Sequence, residues 1–297
     1  MSEWSWDPDP ASGIRNRWVE ANGLRFEVAE AGEGDRLALL LHGFPELNFS
    51  WRHQMPLLAE LGYRVWAPNQ RGYGHSSRPQ GIAAYDADKL VADAAALIDA
   101  SGAKEVTLVA HDWGGAIAWH FAIQRARPLA RLVVMNCPHP ACFARELRTW
   151  KQLKKSWYMF FFQLPWLPEK LLTANDARAI RGAFRDSAID KSRFPRADLD
   201  VYARAAQAPG AMTAMVNWYR AAARNRTLTS GEAYPIIDVP TLLIWGEADM
   251  ALDLATTEGT GDFVREFTLR RLPEVSHWVQ QEAPEAVNAI LREWLTA

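Results

Sequence analysis

The chain has 297 residues, of which 49% are hydrophobic and 23% are charged, and its formal net charge is −2 at neutral pH. This length and composition indicate a soluble globular protein that can bury a large core. The nearly balanced charge gives no support for binding to nucleic acid or to an anionic membrane, so we expect a small neutral ligand.

The N-terminus and the cysteines indicate the compartment. Residues 1–13 are acidic and interrupted by prolines, and they lack the basic start and apolar run of a signal peptide. Cys137 and Cys142 lie too close in sequence for a secreted disulfide framework and are predicted to be buried thiols. The longest aromatic stretch, Trp157–Leu167, is too short to span a bilayer. We therefore expect a cytoplasmic protein without a membrane anchor.

Short apolar runs alternate with helical patterns along most of the chain, as in parallel strands joined by covering helices. The runs lie at Leu37–Leu41, Val65–Ala67, Val106–Ala110, Leu132–Met135, Thr241–Trp245 and Thr268–Leu272. Apolar spacing predicts one helix around Leu90–Ile98, ended by Gly102, and a C-terminal helix around Val287–Leu295. The sequence thus predicts an α/β fold with a mostly parallel central sheet flanked by helices.

The alternation stops between about Pro138 and Tyr234, where the pattern becomes helical and aromatic. We interpret this stretch as a helical cap inserted into the sheet-containing core. The predicted division is a core domain of residues 1–137 and 231–297 and a helical cap of residues 138–230. Within the cap, the arginine-rich stretch Arg220–Arg226 is predicted to be a solvated helix face.

The segment VAHDWGG places Asp112 between a predicted strand and a predicted helix. The small residues Ala110 and Gly114 permit the tight strand-to-helix turn on which α/β-hydrolases expose a nucleophile. A carboxylate at this position is already ionised at neutral pH and can attack a saturated carbon directly. The pattern therefore indicates an alkyl-enzyme ester rather than the chemistry of a serine esterase.

Hydrolysis of such an ester needs a general base that is oriented by a carboxylate. His277 follows the last predicted strand and precedes the last helix, where α/β-hydrolases place this base. Asp249, in the turn after the fifth predicted strand, is the predicted orienting acid, and Glu247 and Asp253 are the alternatives. The other position for this acid, after the fourth strand, holds Asn136, whose amide cannot balance an imidazolium.

Two further sets of donors are expected around Asp112. Backbone N–H groups of Trp113 and of Phe44, in the turn HGFP, are predicted to stabilise the oxyanion of ester hydrolysis. A strained ring oxygen that leaves as an alkoxide also needs a proton donor, for which a neutral phenol is suitable. Tyr158 and Tyr219, in aromatic segments of the cap, are the candidates, with simple packing as the alternative role.

Several motifs occur together in one order: HGFPE, GYRVWAPNQRGYGHSSRP, VAHDWGGAIAWHFA, PHP, FFFQLPW, NWYR, LLIWGEADMAL and SHWVQQEAPEAVN. Their order and spacing, over about residues 22–294, resemble those of the soluble α/β-hydrolase-fold epoxide hydrolases. The resemblance implies conversion of an epoxide and water into a vicinal diol, with no metal or organic cofactor. It implies the following site: Asp112 as nucleophile, His277 as base, Asp249 as its acid, Tyr158 and Tyr219 on the epoxide oxygen, and Phe44 and Trp113 as oxyanion donors.

Two other classes of protein share features with this sequence. Haloalkane and haloacid dehalogenases use the same Asp-His-Asp triad, but the haloalkane type places Asn where Phe44 stands, and the fluoroacetate type carries Arg where Trp113 stands. A ligand-binding protein that keeps this fold without turnover is expected to lack a catalytic group. We therefore expect a small apolar epoxide and water as substrates and a role in detoxification. A homo-oligomer is compatible with the sequence.

Overall fold

A computed structural model describes residues 6–224 and 234–297 of the chain. Its strands are β1 (Arg15–Ala21), β2 (Leu24–Ala31), β3 (Arg36–Leu41), β4 (Arg64–Pro68), β5 (Glu105–His111), β6 (Arg131–Met135), β7 (Thr241–Gly246) and β8 (Phe267–Leu272). They form an eight-stranded sheet in the order β1-β2-β4-β3-β5-β6-β7-β8. All pairs from β4 to β8 are parallel, which confirms the predicted mostly parallel sheet.

An antiparallel hairpin at one edge of the sheet was not among the predicted strands. β1 and β2 pair from Arg15 with Glu30 to Ala21 with Leu24, and β2 continues antiparallel to β4. The turn is Asn22-Gly23, and both residues have positive φ, at 50° and 69°. An Asn-Gly pair between two strands is a strong sequence signal for a tight hairpin, so this signal was available in the sequence.

Eleven α-helices are present in the described residues: α1 (Gln54–Glu60), α2 (Ala87–Ser101), α3 (Trp113–Ile123), α4 (Pro140–Glu146), α5 (Trp150–Lys155), α6 (Trp157–Phe161), α7 (Leu167–Arg185), α8 (Arg196–Gln207), α9 (Ala211–Arg224), α10 (Val279–Glu282) and α11 (Pro284–Thr296). The predicted helices at Leu90–Ile98 and Val287–Leu295 correspond to α2 and α11. Gly102 follows α2 with φ 63°, the left-handed conformation that ends a helix readily.

Both faces of the sheet are buried. In β3, Leu37, Leu39 and Leu41 pack in one hydrophobic cluster with residues of α2 and α3. Ala38 and Leu40 point to the opposite face and pack in a second cluster with residues of α1 and α11. Burial on both faces explains why these strands are continuous apolar runs rather than alternating sequences.

The helices α4 to α9 lie between β6 and β7 in the chain, where the sequence predicts a cap. Residues of α9 and of the short 3-10 helix Ile82–Tyr85 contact each other, so this helical stretch rests on the sheet-containing part. The predicted cap boundary between residues 230 and 231 falls outside the described residues. The division into core and cap stays a prediction.

Two predictions from composition concern thiols and membrane spans. Cys137 and Cys142 are both buried and free, as predicted. Within residues 6–224 and 234–297, no helix combines the length and the apolar character needed to cross a bilayer.

Candidate active site

Asp112 occupies a sharp turn between β5 and α3. Its φ of 49° and ψ of −121° are unfavourable for a residue with a side chain, so the surrounding structure must hold it there. A Cβ atom on Gly114 would overlap with the backbone carbonyl of Leu41, and one on Gly43 would overlap with the Asp112 side chain. Gly114 is therefore required within the turn, as the predicted elbow demands, and Gly43 is required in the neighbouring HGFP turn.

The structure brings Asp112, His277 and Asp249 together from three separate loops. His277 Nδ1 lies 2.7 Å from Asp249 Oδ2, and His277 Nε2 lies 3.4 Å from Asp112 Oδ2. Both alternative acids lie elsewhere: Glu247 is exposed, and Asp253 pairs with Lys151 at 2.9 Å.

The buried Asp249 carboxylate is held by a dense set of donors. Its Oδ1 accepts hydrogen bonds from the backbone N–H groups of Ala251 at 2.7 Å and Leu252 at 2.9 Å. Its Oδ2 accepts a hydrogen bond from Asn136 Nδ2 at 2.8 Å. Burial alone would raise the pKa of Asp249, but the charge of His277 and these hydrogen bonds hold it below its ordinary value. The sequence analysis missed that Asn136 supports the acid.

Electrostatics favour an ion cluster at the triad. Burial opposes the charged form of Asp112, yet His277, His111 and the Phe44 N–H together lower the pKa of this carboxyl. Burial also opposes the charged form of His277, but Asp249 and Asp112 raise its pKa well above the ordinary value. These shifts favour an imidazolium between two carboxylates in the resting site.

Glu46, in the HGFPE motif, connects the turns that carry the site. Its Oε2 accepts a hydrogen bond from the Gly43 N–H at 2.7 Å and lies 2.6 Å from His111 Nδ1. The opposite ring nitrogen of His111 lies 2.9 Å from the carbonyl oxygen of His277, to which it can only donate. The second Glu46 oxygen accepts from Gln280 at 2.8 Å. One fully buried carboxylate thus links three segments that meet at Asp112, a role that the sequence analysis did not assign.

The two predicted oxyanion donors lie beside the nucleophile. The Phe44 N–H donates to Asp112 Oδ1 at 2.8 Å. Trp113 is the first residue of α3, where backbone N–H groups have no partner within the helix. The Phe44 N–H thus contacts the Asp112 carboxylate, and the Trp113 N–H follows Asp112 directly in the chain at the start of α3.

Tyr158 of α6 and Tyr219 of α9 face the same cavity as Asp112 and His277, which has a volume of about 380 Å³. The centroids of the two phenol rings are 5.9 Å apart. Burial and the charge of Asp112 raise the pKa of Tyr158, and burial also raises the pKa of Tyr219. Both phenols are therefore protonated at neutral pH and can donate hydrogen bonds into the cavity.

Arg220 corrects the prediction of a solvated arginine face. It is buried, pairs with Glu169 at 2.6 Å and donates to the backbone carbonyls of Phe162 at 3.0 Å and Leu164 at 2.6 Å. These bonds tie α9 to the turn after α6. Arg220 thus helps to hold the segments that carry Tyr158 and Tyr219, while Arg226 lies outside the described residues.

Comparisons with known proteins agree with this geometry. Residues 39–284 match the family model described as alpha/beta hydrolase fold. Epoxide hydrolase 4 of Mus musculus is 38% identical, over 93% of this chain and 78% of that protein. Epoxide hydrolase A of Mycobacterium tuberculosis is 35% identical, over 94% of this chain and 97% of that protein. The chain belongs to the α/β-hydrolase fold family and resembles its epoxide hydrolases.

The chain is also similar to a solved structure of an epoxide hydrolase. The crystal structure of an epoxide hydrolase from Bacillus megaterium in complex with an inhibitor has a TM-score of 0.86 and 29% identity to this chain. The match covers 95% of this chain and 100% of that structure. The similarity therefore includes the helical stretch between β6 and β7 as well as the sheet.

Proposed function

We propose that this protein is an epoxide hydrolase that converts an epoxide and water into a vicinal diol through a covalent ester of Asp112. The named epoxide hydrolases among its relatives support the activity. The observation that carries the mechanism is the convergence of the Asp112 carboxylate, His277 and two phenols on one cavity. A carboxylate nucleophile, a base and proton donors are the groups that this reaction requires.

In the first step, Tyr158 and Tyr219 hold the epoxide oxygen by hydrogen bonds while an Asp112 oxygen attacks a ring carbon. The new bond joins Asp112 to carbon, and the bond between that carbon and the ring oxygen breaks. The electron pair goes to the ring oxygen, which takes a proton from a phenol. The protonated state of both phenols supports this role because only the neutral phenol donates.

Formation of the ester prepares His277 for the second step. Esterified Asp112 carries no negative charge, so one of the two carboxylates that raise the pKa of His277 is lost. His277 then gives its proton to the phenolate left by the first step and becomes the neutral base that ester hydrolysis requires. Asp249 remains ionised and keeps the ring oriented.

In the second step, neutral His277 takes a proton from water, and the resulting hydroxide attacks the Asp112 carbonyl carbon. The N–H groups of Phe44 and Trp113 stabilise the oxyanion that forms. Collapse of this intermediate breaks the bond between the Asp112 carbonyl carbon and the substrate oxygen, and the departing alkoxide takes the proton of the new Asp112 carboxyl group. The products are the diol, the Asp112 carboxylate and protonated His277. Water is the only co-substrate in this sequence.

The surroundings of Trp113 favour an epoxide over a halide. Its ring packs edge-on against Tyr219, with ring centroids 4.9 Å apart. Burial raises the pKa of the Tyr219 phenol, so a neutral hydrogen-bond donor suited to an epoxide oxygen stands beside the indole. Phe44, at the position where haloalkane dehalogenases place Asn, has no side-chain donor for a halide. A dehalogenase is therefore the weaker candidate.

The two parts of the chain have different roles in this reaction. Core residues 1–137 and 231–297 supply the nucleophile, acid and base, and cap residues 138–230 supply the tyrosines, so the reaction takes place at their interface. We place the enzyme in the cytoplasm, with detoxification of apolar epoxides as its role. The apolar side chains around the cavity suit such substrates.

Trapping the ester tests the mechanism. With styrene oxide, the His277→Ala variant should open the ring and stop at the ester. Intact-protein mass spectrometry should then show a gain of one substrate mass, and mass spectrometry of a digest should locate this mass on the Asp112 peptide. Asp112→Ala should show no adduct and no turnover. The exposed His75 offers a control, because His75→Ala should keep full turnover. Multiple turnover by either active-site variant would refute the assignment.

A further inference from the structure

The outer surface of α5, α6 and the turn after α6 is unusually apolar. Five large apolar side chains on it are between 45% and 69% exposed, and we call them the aromatic face: Trp150, Trp157, Phe160, Leu164 and Trp166. The first four follow one another at intervals of seven, three and four residues, the spacing of one helix face. A soluble protein rarely exposes such a group together unless the surface contacts a partner.

The opposite side of this segment is already occupied by the active site and the core. Tyr158 lines the active-site cavity, and Gln152 and Ser156 are buried. The Ser156 N–H donates to the Gln152 carbonyl at 2.9 Å, so the backbone turn continues between the two short helices. The segment therefore presents one side to the interior, and the aromatic face on its other side has no cover.

The charge of this segment differs from that of the whole chain. Residues 148–170 contain five basic residues and one acidic residue, so their net charge is +4, and the rest of the chain carries −6. The acidic residue, Glu169, is already paired with Arg220. Lys151 and Lys155 both pair with Asp253. The other three basic residues of the segment are exposed and have no ion-pair partner in the described part of the chain: Arg148, Lys154 and Lys170.

The active-site cavity opens beside the aromatic face. Trp157 and Met250 are both exposed to solvent, and both also line the cavity of about 380 Å³. A molecule that enters the cavity from this side passes exposed apolar side chains first. Whatever covers the aromatic face therefore also stands at the entrance to the active site.

We propose that the aromatic face docks on the surface of an anionic lipid bilayer. Its tryptophans would lie at the level of the lipid headgroups, where indole rings are favoured, and its exposed lysines would contact the negative headgroups. Lysine is depleted in interfaces between proteins, yet four of the seven lysines of the chain lie in residues 151–170. The excess negative charge of the rest of the chain orients the basic segment towards such a surface.

Flotation of the full chain with vesicles tests the docking. One set of vesicles contains phosphatidylcholine alone, and the other contains equal parts of phosphatidylcholine and phosphatidylserine. We expect binding to be tighter by about tenfold or more on the anionic vesicles, because each basic residue near the surface adds to the attraction. Added salt should weaken this binding, because it screens the charges.

Two charge variants locate the binding surface. Lys154→Gln/Lys170→Gln removes two exposed charges of the segment and should weaken binding to anionic vesicles by about tenfold or more. Lys89→Gln/Lys104→Gln is the matched control, because it changes the net charge equally at exposed positions in α2 and before β5. The control should bind as the wild type does.

An apolar pair tests the aromatic contribution. Trp150→Ala/Phe160→Ala should weaken binding to anionic vesicles by about tenfold or more, because both side chains lose their contact with the lipid. Ile236→Ala is the control, since Ile236 is 43% exposed and precedes the amino end of β7, whereas the cap helices follow the carboxyl end of β6. The control should leave vesicle binding unchanged.

Three results would overturn the docking proposal. The first is equal binding to both kinds of vesicle, and the second is equal binding by the variants of the segment and their controls. The third is a dimer of the lipid-free protein, measured by analytical ultracentrifugation, that Trp150→Ala/Phe160→Ala dissociates. That result would assign the aromatic face to a second copy of the chain.

Vesicle binding is measured without substrate, so it is independent of the proposed activity. If the activity is also correct, the wild type should hydrolyse 1,2-epoxyhexadecane dissolved in anionic vesicles faster than Trp150→Ala/Phe160→Ala, by the factor that this variant loses in binding. Both proteins should hydrolyse styrene oxide equally without vesicles, since neither Trp150 nor Phe160 lines the cavity. Failure to hydrolyse either epoxide would overturn the proposed function and leave the docking result unaffected.

Discussion

At the scale of single residues, the site depends on one histidine between two carboxylates. His277 contacts Asp249 at 2.7 Å and Asp112 at 3.4 Å, and both carboxylates raise its pKa. This arrangement stabilises the resting enzyme in the form that cannot act as a base. In the proposed mechanism, the charge lost from Asp112 on ester formation releases His277 as the base, so the proposed nucleophile and base are electrostatically coupled.

The coupling predicts a measurable shift in the pKa of His277. Replacing Asp112 by Asn removes one of the two negative charges, so the pKa of His277 should fall by about one unit or more. Nuclear magnetic resonance titration of the labelled imidazole measures this pKa directly. Asp253→Asn is the control, because Asp253 pairs with Lys151 and should leave the value unchanged. Equal His277 pKa values in Asp112→Asn and wild type would contradict the coupling.

Residues that act through one another were the hardest to predict from the sequence. Asp112, Asp249 and His277 could be predicted to meet in one site because each follows a strand in a fixed chain order. Glu46 lies in a motif that was recognised, but its partner His111 is 65 residues away, and nothing local marks the contact. Asn136 was dismissed as an acid for the correct reason that it carries no charge. Its donor role appears only when β6 and β7 lie side by side.

At the scale of elements, the elbow between β5 and α3 is fixed by close packing against β3. Apolar runs identified the parallel strands β3 to β7, because burial on both faces leaves a continuous apolar segment, whereas the predicted edge strand β8 is only partly buried. The β1–β2 hairpin has mixed polar and apolar residues, and Arg15 and Arg17 in β1 both pair with Glu30 across the strands. Its sequence therefore lacks the apolar run on which the other assignments depended, and only the Asn22-Gly23 turn marks it.

The packing of α3 against β3 predicts different outcomes for two glycines in helices. A Cβ atom at Gly114 would overlap with the carbonyls of Leu41 and His42, which are backbone groups that cannot move aside cheaply. Gly114→Ala should therefore lower the free energy of unfolding by about 3 kcal/mol or more. At Gly182, in α7, the new atom would meet only the end of the Asp186 side chain, at 3.0 Å. Gly182→Ala should change stability by less than about 1 kcal/mol.

Chemical denaturation of both variants measures these differences. Equal stability of Gly114→Ala and wild type would show that the elbow has room for a side chain, against the geometry described above.

At the scale of the whole molecule, the stability of the fold depends on histidines that are buried without charge. His139, at the start of α4, is buried and stacks on Phe263 with ring centroids 4.4 Å apart. Its Nδ1 accepts a hydrogen bond from the Ala141 N–H at 3.3 Å. Burial, with a smaller contribution from His120, lowers the pKa of His139 to about 4. The folded protein therefore keeps this histidine neutral where the unfolded chain would take up a proton.

This difference predicts a loss of stability in acid. The unfolded histidine has a pKa of about 6.5, so the stabilising contribution is complete above that pH and is lost as pH falls towards the folded value. Between these two pH values, protonation of His139 should lower the free energy of unfolding by up to about 3 kcal/mol. His139→Asn keeps a side-chain acceptor for the Ala141 N–H but cannot titrate. The free energy of unfolding of the His139→Asn variant should fall less steeply between about pH 6.5 and 4 than that of the wild type. Parallel curves of unfolding free energy against pH for the two proteins would contradict the prediction.

The central claim is that Asp112 becomes covalently bonded to the substrate before water completes the reaction. A single turnover of styrene oxide by excess enzyme in heavy-oxygen water, followed by mass spectrometry of the diol and of the Asp112 peptide, tests it most directly. We predict that the heavy oxygen enters the Asp112 carboxylate and that the diol from this first turnover carries none. Heavy oxygen in the first-turnover diol, with an unlabelled Asp112, would mean that water attacks the epoxide directly and would contradict the account.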